Sequence, residues 1–271
     1  MSAQPRRTRR RADLSQHFLR KGATAARLVQ STSISSGDFV IEIGPGKGAL
    51  TRQLIERAQH LVAVELDAEL CRGLQRDLGG SAEIIHGDFL AHPLPDRPYK
   101  VIGSLPFART TEMLRKLVGA ATPPEDAWLL TQREAAYRFS GSPYAAETLW
   151  SIRLKPWWHL EITQRLRKTD FDPPPSVDCV VLWLARRTRP LIHPSQGGSY
   201  RGGPYRRLTE RVFGSGLPVG KAIRPWLTRT QIQRLAHDLR FDPGKPPSAL
   251  RFEQWLGIFR FAELEAARRA G

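Results

Sequence analysis

The stretch Val40-Ile41-Glu42-Ile43-Gly44-Pro45-Gly46-Lys47-Gly48-Ala49-Leu50-Thr51 constrains this chain more than any other. Phe39 to Ile43 is an apolar run of strand length. Glycines then recur at 44, 46 and 48, and apolar residues at helical spacing follow over Gly48–Ala58. Glycine lacks a Cβ, so the backbone can turn tightly there and come close to a ligand. Strand, Gly-rich turn and helix in succession form the first unit of a ligand-binding parallel sheet. The same pattern also fits a plain tight turn, so the neighbouring strand ends decide between the two readings.

The spacing is E-x-G-x-G-x-G, not the G-x-G-x-x-G of a dinucleotide site. Glu42 places an acid where a pyrophosphate disfavours one, whereas a cofactor bearing cations, such as S-adenosyl-L-methionine, tolerates it. The next strand, Leu61–Val64, ends in Glu65 and Leu66. An acid at that offset from the first glycine suits the hydroxyls of a nucleoside ribose; a strand-end charge is the plain alternative. Strand Ala82–His86 ends in Gly87-Asp88-Phe89, where Asp88 suits an adenine amino group and Phe89 the ring, unless Asp88 only makes an Asx turn. Three strand ends carrying these groups in this order are more specific than any one of them.

The order strand, helix, strand repeats. Helix Ala68–Leu78 is stopped by Gly79-Gly80, and strand Tyr99–Gly103 follows a Pro-rich loop. This predicts a parallel α/β sheet with helices on both faces. Further on, Trp128–Leu130 reads as a fifth strand, Gln132–Phe139 as a helix, and His159–Leu166 and Val177–Leu184 as an antiparallel pair closing the sheet. Between that pair lies Phe171-Asp172-Pro173-Pro174-Pro175-Ser176, a loop stiffened by three prolines. Arg186–Pro204 is rich in Gly, Pro and Ser and reads as a linker. Helical patterns at Tyr205–Phe213, Lys221–Trp226, Arg229–Leu239 and Arg251–Phe261 predict a small all-helical C-terminal domain cored by Trp226, Trp255 and Phe259. The expected division is a disordered basic arm over 1–13, a sheet domain carrying the ligand-binding turn over 14–185, a linker over 186–204 and a basic helical domain over 205–271.

Charge is uneven. Residues 1–21 carry net +6, residues 22–185 net −1 and residues 186–271 net +11, and 34 of the 42 basic residues are arginine. A near-neutral centre between basic flanks fits a catalytic core brought to a polyanion by its ends. Arginine's planar fork suits phosphate, although a codon bias also enriches it. Arg6, Arg7, Arg9, Arg10 and Arg11 in the arm, with Arg109, Arg133, Arg138, Arg206 and Arg207, are the candidate RNA contacts. No run of eighteen apolar residues predicts a membrane span, and the N-terminal segment is basic and not apolar, so a cytoplasmic location is expected. Cys71 and Cys179 stand alone, so no metal site is expected.

A second chemical stretch, Ser104-Leu105-Pro106-Phe107, follows strand Tyr99–Gly103. Proline fixes the backbone there and points carbonyls outward, while Phe107 offers a plate for a flipped base or simply packs on the core. Together with Gln16-His17-Phe18-Leu19, the glycine loop, Glu65, Gly87-Asp88-Phe89 and Phe171–Asp178, this stretch resembles the ribosomal RNA adenine N6-methyltransferases, and within them the Erm macrolide-resistance enzymes that act on large-subunit (23S) RNA. The resemblance covers residues 14 to about 261. It implies a Rossmann-like class I methyltransferase sheet, S-adenosyl-L-methionine as cofactor, 23S ribosomal RNA as partner, a monomer, and no metal. It places Gln16, His17, Leu19, Gly44, Gly46, Glu65, Leu66, Asp88, Phe89 and Ser104 at the cofactor, and Ser104, Leu105, Pro106 and Phe107 at the target adenine.

The family motif is usually Asn-Ile/Leu-Pro-Tyr, and Ser104 with Phe107 departs from it. Serine is a shorter acceptor and phenylalanine keeps the stacking face without the hydroxyl, so efficiency and the number of methyls added are in question. Two other readings stay open: the housekeeping dimethyltransferase of small-subunit RNA, to which Leu105 leans, and a non-catalytic RNA-binding protein on the same fold, to which Ser104 leans. Cofactor binding separates the last from the others.

Overall fold

The computed structural model describes residues 17–20, 22–192 and 202–270 of the chain. Gln16 and the arm arginines Arg6, Arg7, Arg9, Arg10 and Arg11 lie outside the described residues, as does much of the expected linker.

The chain forms two units. The first runs to Ala136 and resumes over Glu161–Arg186; the second takes Tyr137–Leu160 and everything from Arg187. In the first unit the strands are β1 (Phe18–Leu19), β2 (Phe39–Ile43), β3 (His60–Glu65), β4 (Glu83–His86), β5 (Lys100–Ser104), β6 (Asp126–Gln132), β7 (Trp158–Leu166, its first residues belonging to the second unit), β8 (Phe171–Asp172) and β9 (Cys179–Arg186). Seven of them make one sheet in the order β4-β3-β2-β5-β6-β9-β7. The pairs β2–β3, β3–β4, β2–β5 and β5–β6 are parallel, and β6–β9 is antiparallel. The sheet is therefore mixed at one side, where the sequence predicted an antiparallel closing pair. Its centre reads as apolar runs because these strands are covered on both faces: Val40, Ile41, Ile43, Ala63, Val101 and Ile102 are all buried.

Helices α1 (Ala23–Gln30), α2 (Thr51–Ile55), α3 (Ala68–Leu78) and α4 (Thr110–Val118) accompany the sheet. α1 buries Ala25, Leu28 and Val29, and together with Leu54 of α2 they join a core that includes Val40, Ile102, Trp128 and Leu130. Truncating a residue such as Leu54 to alanine costs roughly 2–5 kcal/mol in such a setting. α3 starts where it does because Asp67 caps it, its Oδ1 accepting from Glu69 N at 2.8 Å and Leu70 N at 3.2 Å. α2 is shorter than the expected 48–58 because Gly48 has φ +75°, outside the helical region. α4 begins at Thr110, whose hydroxyl donates to the Pro106 carbonyl at 3.3 Å.

The second unit is helical, with the end of α5 (Arg133–Ser140), then α6 (Leu149–Leu154), α7 (Pro204–Gly214), α8 (Val219–Ala222), α9 (Arg229–Asp238) and α10 (Phe252–Ala270). Its core surrounds Tyr205, Trp255, Ile258 and Phe259, with Trp226 only partly buried against it. Residues 137–160, expected in the first domain, belong here. The Tyr205 hydroxyl donates to the Ile152 carbonyl at 2.9 Å, and Ile152 and Trp157 join this core. An apolar pattern shows that a helix packs, not which core it packs into. α10 outruns its expected end at Phe261 because Ala262–Ala270 lose the apolar period yet consist of good helix formers.

Candidate active site

β2 pairs with β3 on one side and β5 on the other, and a crevice opens at the carboxyl ends of such strands where the chain order reverses. Each of the strand ends picked from the sequence converges there. A single cleft of the first unit is lined by His17, Phe18, Leu19, Glu42, the Gly44–Lys47 turn, Glu65, Leu66, Asp88, Phe89, and Ser104 to Arg109. Of the expected cofactor and base residues only Gln16 is outside the described chain.

The glycine turn is held in a conformation other residues resist. Gly44 and Gly46 have φ of +64° and +59°. A Cβ on Gly46 would lie 2.6 Å from Phe18 Cδ1. The Gly46 amide donates to Glu65 Oε2 at 2.8 Å, and the Asp67 amide donates to Glu65 Oε1 at 2.9 Å. Glu65 thus ties the end of β3 to the turn after β2, and each of its oxygens keeps a lone pair for a ligand hydroxyl. Burial raises its pKa, while those two amides work the other way.

Glu42 is buried at the floor of the strand ends. It is 1% exposed, and its Oε2 has no hydrogen-bond partner. Burial, and then the negative charge of Glu65, push its carboxyl up to about 8. A cationic ligand group beside it would work the other way, because an opposite charge favours the carboxylate. The unpartnered oxygen is the feature that calls for a polar or cationic ligand atom.

Nothing in the chain's local pattern signals how the N-terminal segment is fastened. β1 pairs antiparallel with β8, Phe18 opposite Asp172 and Leu19 opposite Phe171. Arg20 N donates to the Asp170 carbonyl at 2.8 Å, and the His17 ring, protonated at Nδ1, donates to the Pro173 carbonyl at 3.0 Å. Lys47 of the glycine turn donates to Asp172 Oδ2 at 2.6 Å. The rigid proline loop therefore holds Phe18 beneath the turn and His17 beside Phe107, with ring centroids 5.5 Å apart and planes 30° apart. Phe107 is half-buried and packs against the sheet core while also lining the cleft.

Asp88 Oδ1 accepts from Leu90 N at 2.9 Å, an Asx turn, and Oδ2 accepts from Arg109 Nη1 at 2.9 Å. Burial opposes the Asp88 carboxylate, but the Leu90 amide and the Arg109 guanidinium together hold its pKa below the ordinary value. Phe89 is buried under Lys116, whose Nζ stands 5.0 Å from its ring centroid and donates to the carbonyls of Phe89, Leu90 and His92. Leu66, at 43% exposure, is an apolar lip. The Leu105 amide donates to the Leu130 carbonyl at 2.9 Å. The Pro106 carbonyl accepts from Arg109 N at 3.0 Å and from the Thr110 hydroxyl at 3.3 Å.

Several of the arginines expected at RNA pair with acids in this structure. Arg109 lies on Asp88, Arg133 on Asp178 at 2.6 Å, and Arg206 on Glu210 at 2.9 Å. Arg138 stacks over Phe139 at 5.1 Å, and Arg207 is exposed. Among the described residues no group of three His, Cys, Asp or Glu side chains is placed to hold a metal, and no helix is long and apolar enough to cross a membrane.

Residues 7–258 match the family described as ribosomal RNA adenine dimethylase. The chain is 32% identical to the mycinamicin-resistance protein MyrB of Micromonospora griseorubida, over 92% of this chain and 78% of that one. It is also 32% identical to the ribosomal RNA small subunit methyltransferase A of Thermosynechococcus vestitus, over 92% of this chain and 96% of that one. The crystal structure of the 23S rRNA methyltransferase ErmE superposes with a TM-score of 0.82 at 28% identity, over 90% of this chain and 98% of that one.

Proposed function

Because the chain belongs to the ribosomal RNA adenine dimethylase family and is an rRNA adenine methyltransferase, we propose that it transfers a methyl group from S-adenosyl-L-methionine to N6 of one adenine in 23S rRNA, and thereby confers resistance of the macrolide type. The observation that carries this reading is the single cleft that brings Glu42, Glu65 and Asp88 together with Ser104 to Phe107. The likeness to ErmE and to MyrB favours large-subunit RNA.

The residues present fit the cofactor. The unpartnered Glu42 oxygen and the glycine turn suit its charged methionyl end, the Glu65 lone pairs its ribose hydroxyls, and Asp88, Phe89 and Leu66 its adenine. When bound, the cofactor supplies a methyl on a sulfonium, an electrophile that needs no metal. The chain's own task is orientation. The N6 lone pair of adenine is spread into the ring, so the amine is a weak nucleophile. Ser104 Oγ and the Leu105 carbonyl accept its hydrogens and turn the lone pair outward, while Phe107 and His17 fix the ring plane. Alignment of this kind accounts for much of the acceleration in such a site. Asp88 is engaged by Leu90 and Arg109 and serves recognition, not proton abstraction. The transferred proton leaves to water.

The basic flanks, the arm arginines of residues 6–11 and the helical unit supply RNA affinity, and the protein works as a cytoplasmic monomer on an adenine flipped from a loop. The small-subunit reading is the second, favoured by the equal identity to the Thermosynechococcus vestitus enzyme. One experiment separates them. Purified protein is incubated with labelled cofactor and with naked 23S or 16S RNA from a drug-sensitive host, and the methylated nucleotide is mapped. Label at one adenine of 23S RNA is expected. Label on adjacent adenines near the 16S 3′ end assigns the housekeeping activity, and no label on either RNA sinks both.

A further inference from the structure

The second unit carries a groove that none of the site residues above enters. Its floor is Pro218, Gly220, Ile232 and Pro243, and its rim is Lys221, Arg224 and Arg229. The floor is fixed by backbone bonds: Val219 N donates to the Lys245 carbonyl and Gly220 N to the Pro243 carbonyl, both at 2.9 Å. A Cβ on Gly220 would lie 2.6 Å from Pro243 Cβ, so the α8 turn and the 243–245 segment are in close contact there. Thr228 caps α9 through a reciprocal bond pair with Gln231 and thereby sets where Arg229 leaves the chain. The groove is a built feature of the fold and not a gap between loops.

Its charge is one-sided. Residues 211–237 hold five basic residues, Arg211, Lys221, Arg224, Arg229 and Arg234, and no Asp or Glu. Lys221, Arg224 and Arg229 are exposed, and among the described residues none of the three makes an ion pair. Arg206, by contrast, is held by Glu210, and Arg234 lies 3.9 Å from Asp238. Asp242, adjacent in the chain to the Pro243 of the floor, is turned onto its own loop, its Oδ1 accepting from Gly244 N at 2.7 Å. Three cations held together without counter-charge repel one another, so the arrangement costs stability unless an anion relieves it.

We propose that Lys221, Arg224 and Arg229 form a seat for the phosphate backbone of the RNA substrate, separate from the pocket that takes the target adenine. The chemistry excludes the other occupants: no carboxylate, imidazole or thiol lines the groove to hold a cation, and the charged rim disfavours an apolar peptide. An open groove with an apolar floor and a cationic rim fits a ribose–phosphate chain, which presents apolar sugar edges and regularly spaced charges. Such contacts position the RNA and carry no sequence information. This inference rests on the rRNA reading above and adds to it a binding surface.

The test uses the full-length chain, the triple variant K221Q/R224Q/R229Q and R234Q as a control on the same helical unit. Affinity is measured across a salt series for fragments of 23S and 16S RNA and an unrelated hairpin. The triple variant should bind all three RNAs roughly 10- to 100-fold more weakly at 0.1 M salt, and the slope of log affinity against log salt should fall by about 2–3, one counterion-release step per lost phosphate contact. Its thermal unfolding and its S-adenosyl-L-methionine affinity should match wild type. R234Q should bind nearly as wild type does. An unchanged slope in the triple variant overturns the seat, and so does a loss in R234Q equal to one third of the triple's, which would mean bulk charge and not a site. A wild-type chain that binds none of the RNAs overturns the rRNA reading and the seat together.

Discussion

Arg109 donates to Asp88 across 2.9 Å, and so links the loop that presents Phe107 to the acid assigned to the cofactor adenine. The same guanidinium reaches Glu112 at 3.5 Å. Both Arg109 and Asp88 are about one-third exposed, 34% and 33%, so solvent screens the pair. Arg109→Ala is therefore expected to weaken cofactor binding by only ~0.5–1 kcal/mol, the range of a screened ion pair. Calorimetry checks it, and the more telling readout is the comparison with RNA. If Arg109→Ala leaves the cofactor untouched and lowers RNA affinity, the residue faces the polyanion and not Asp88.

Glu42 makes stability depend on pH in a definite direction. Its ordinary value of 4.5 applies to the unfolded chain, and the folded value is about 8. Between those limits the folded state binds a proton that the unfolded state has lost, so stability falls as pH rises through this window and levels off above it. The contribution is on the order of a few kcal/mol for so buried a group. Glu42→Gln keeps the shape and cannot ionise. Urea unfolding without cofactor should show the variant more stable than wild type at pH 9 and similar at pH 5. Parallel pH profiles for the two proteins would mean that Glu42 ionises without penalty.

Gly46→Val should fail in two separable ways. The position has φ +59°, which a branched residue resists, and the new side chain meets Phe18. Strain of this kind costs ~1–3 kcal/mol, readable as a lowered Tm. The larger effect is on the cofactor, because Phe18 and the Gly46 amide on Glu65 both border the cleft. Near-normal affinity in a folded variant would place the cofactor elsewhere.

These predictions divide by how visible their basis is in the sequence. Glu42, Glu65, Asp88 and Ser104 were legible because each lies at or close to the end of a strand whose apolar run and following turn are local signals. The β1–β8 pair was not. Two-residue strands carry no pattern, and Phe18 and Asp172 are brought together only by the folded sheet. Nor could sequence tell that Arg109, Arg133 and Arg206 face acids, since an arginine bound for phosphate and one bound for carboxylate look alike in a chain. The burial of Glu42 was hidden for a related reason: its spacing is visible in the chain, but what packs around it is not.

The departure at Ser104 and Phe107 gives the most direct test of the base pocket. Ser104 follows the last buried residues of β5 and lines the cleft beside Gly44, whose added Cβ would lie 3.2 Å from the Ser104 carbonyl. Its backbone is thus packed tightly, and substitutions there change the side chain's reach without moving the strand. If Oγ accepts from N6, Ser104→Ala should slow methyl transfer by about 1–2 kcal/mol, the scale of one lost hydrogen bond, with cofactor affinity unchanged. If the Leu105 carbonyl acts alone, the variant will turn over at the wild-type rate. Ser104→Asn extends the acceptor further into the cleft and should speed addition of a second methyl, read as the ratio of mono- to dimethyladenine over time. Phe107→Ala removes the plate that His17 backs at 5.5 Å and should cost ~1–3 kcal/mol in kcat/KM through lost stacking. Because Phe107 also packs on the core, its Tm must be measured alongside, and Phe107→Tyr, which keeps the ring, should retain both stability and rate. A folded Phe107→Ala enzyme that methylates as fast as wild type would remove the target base from this end of the cleft.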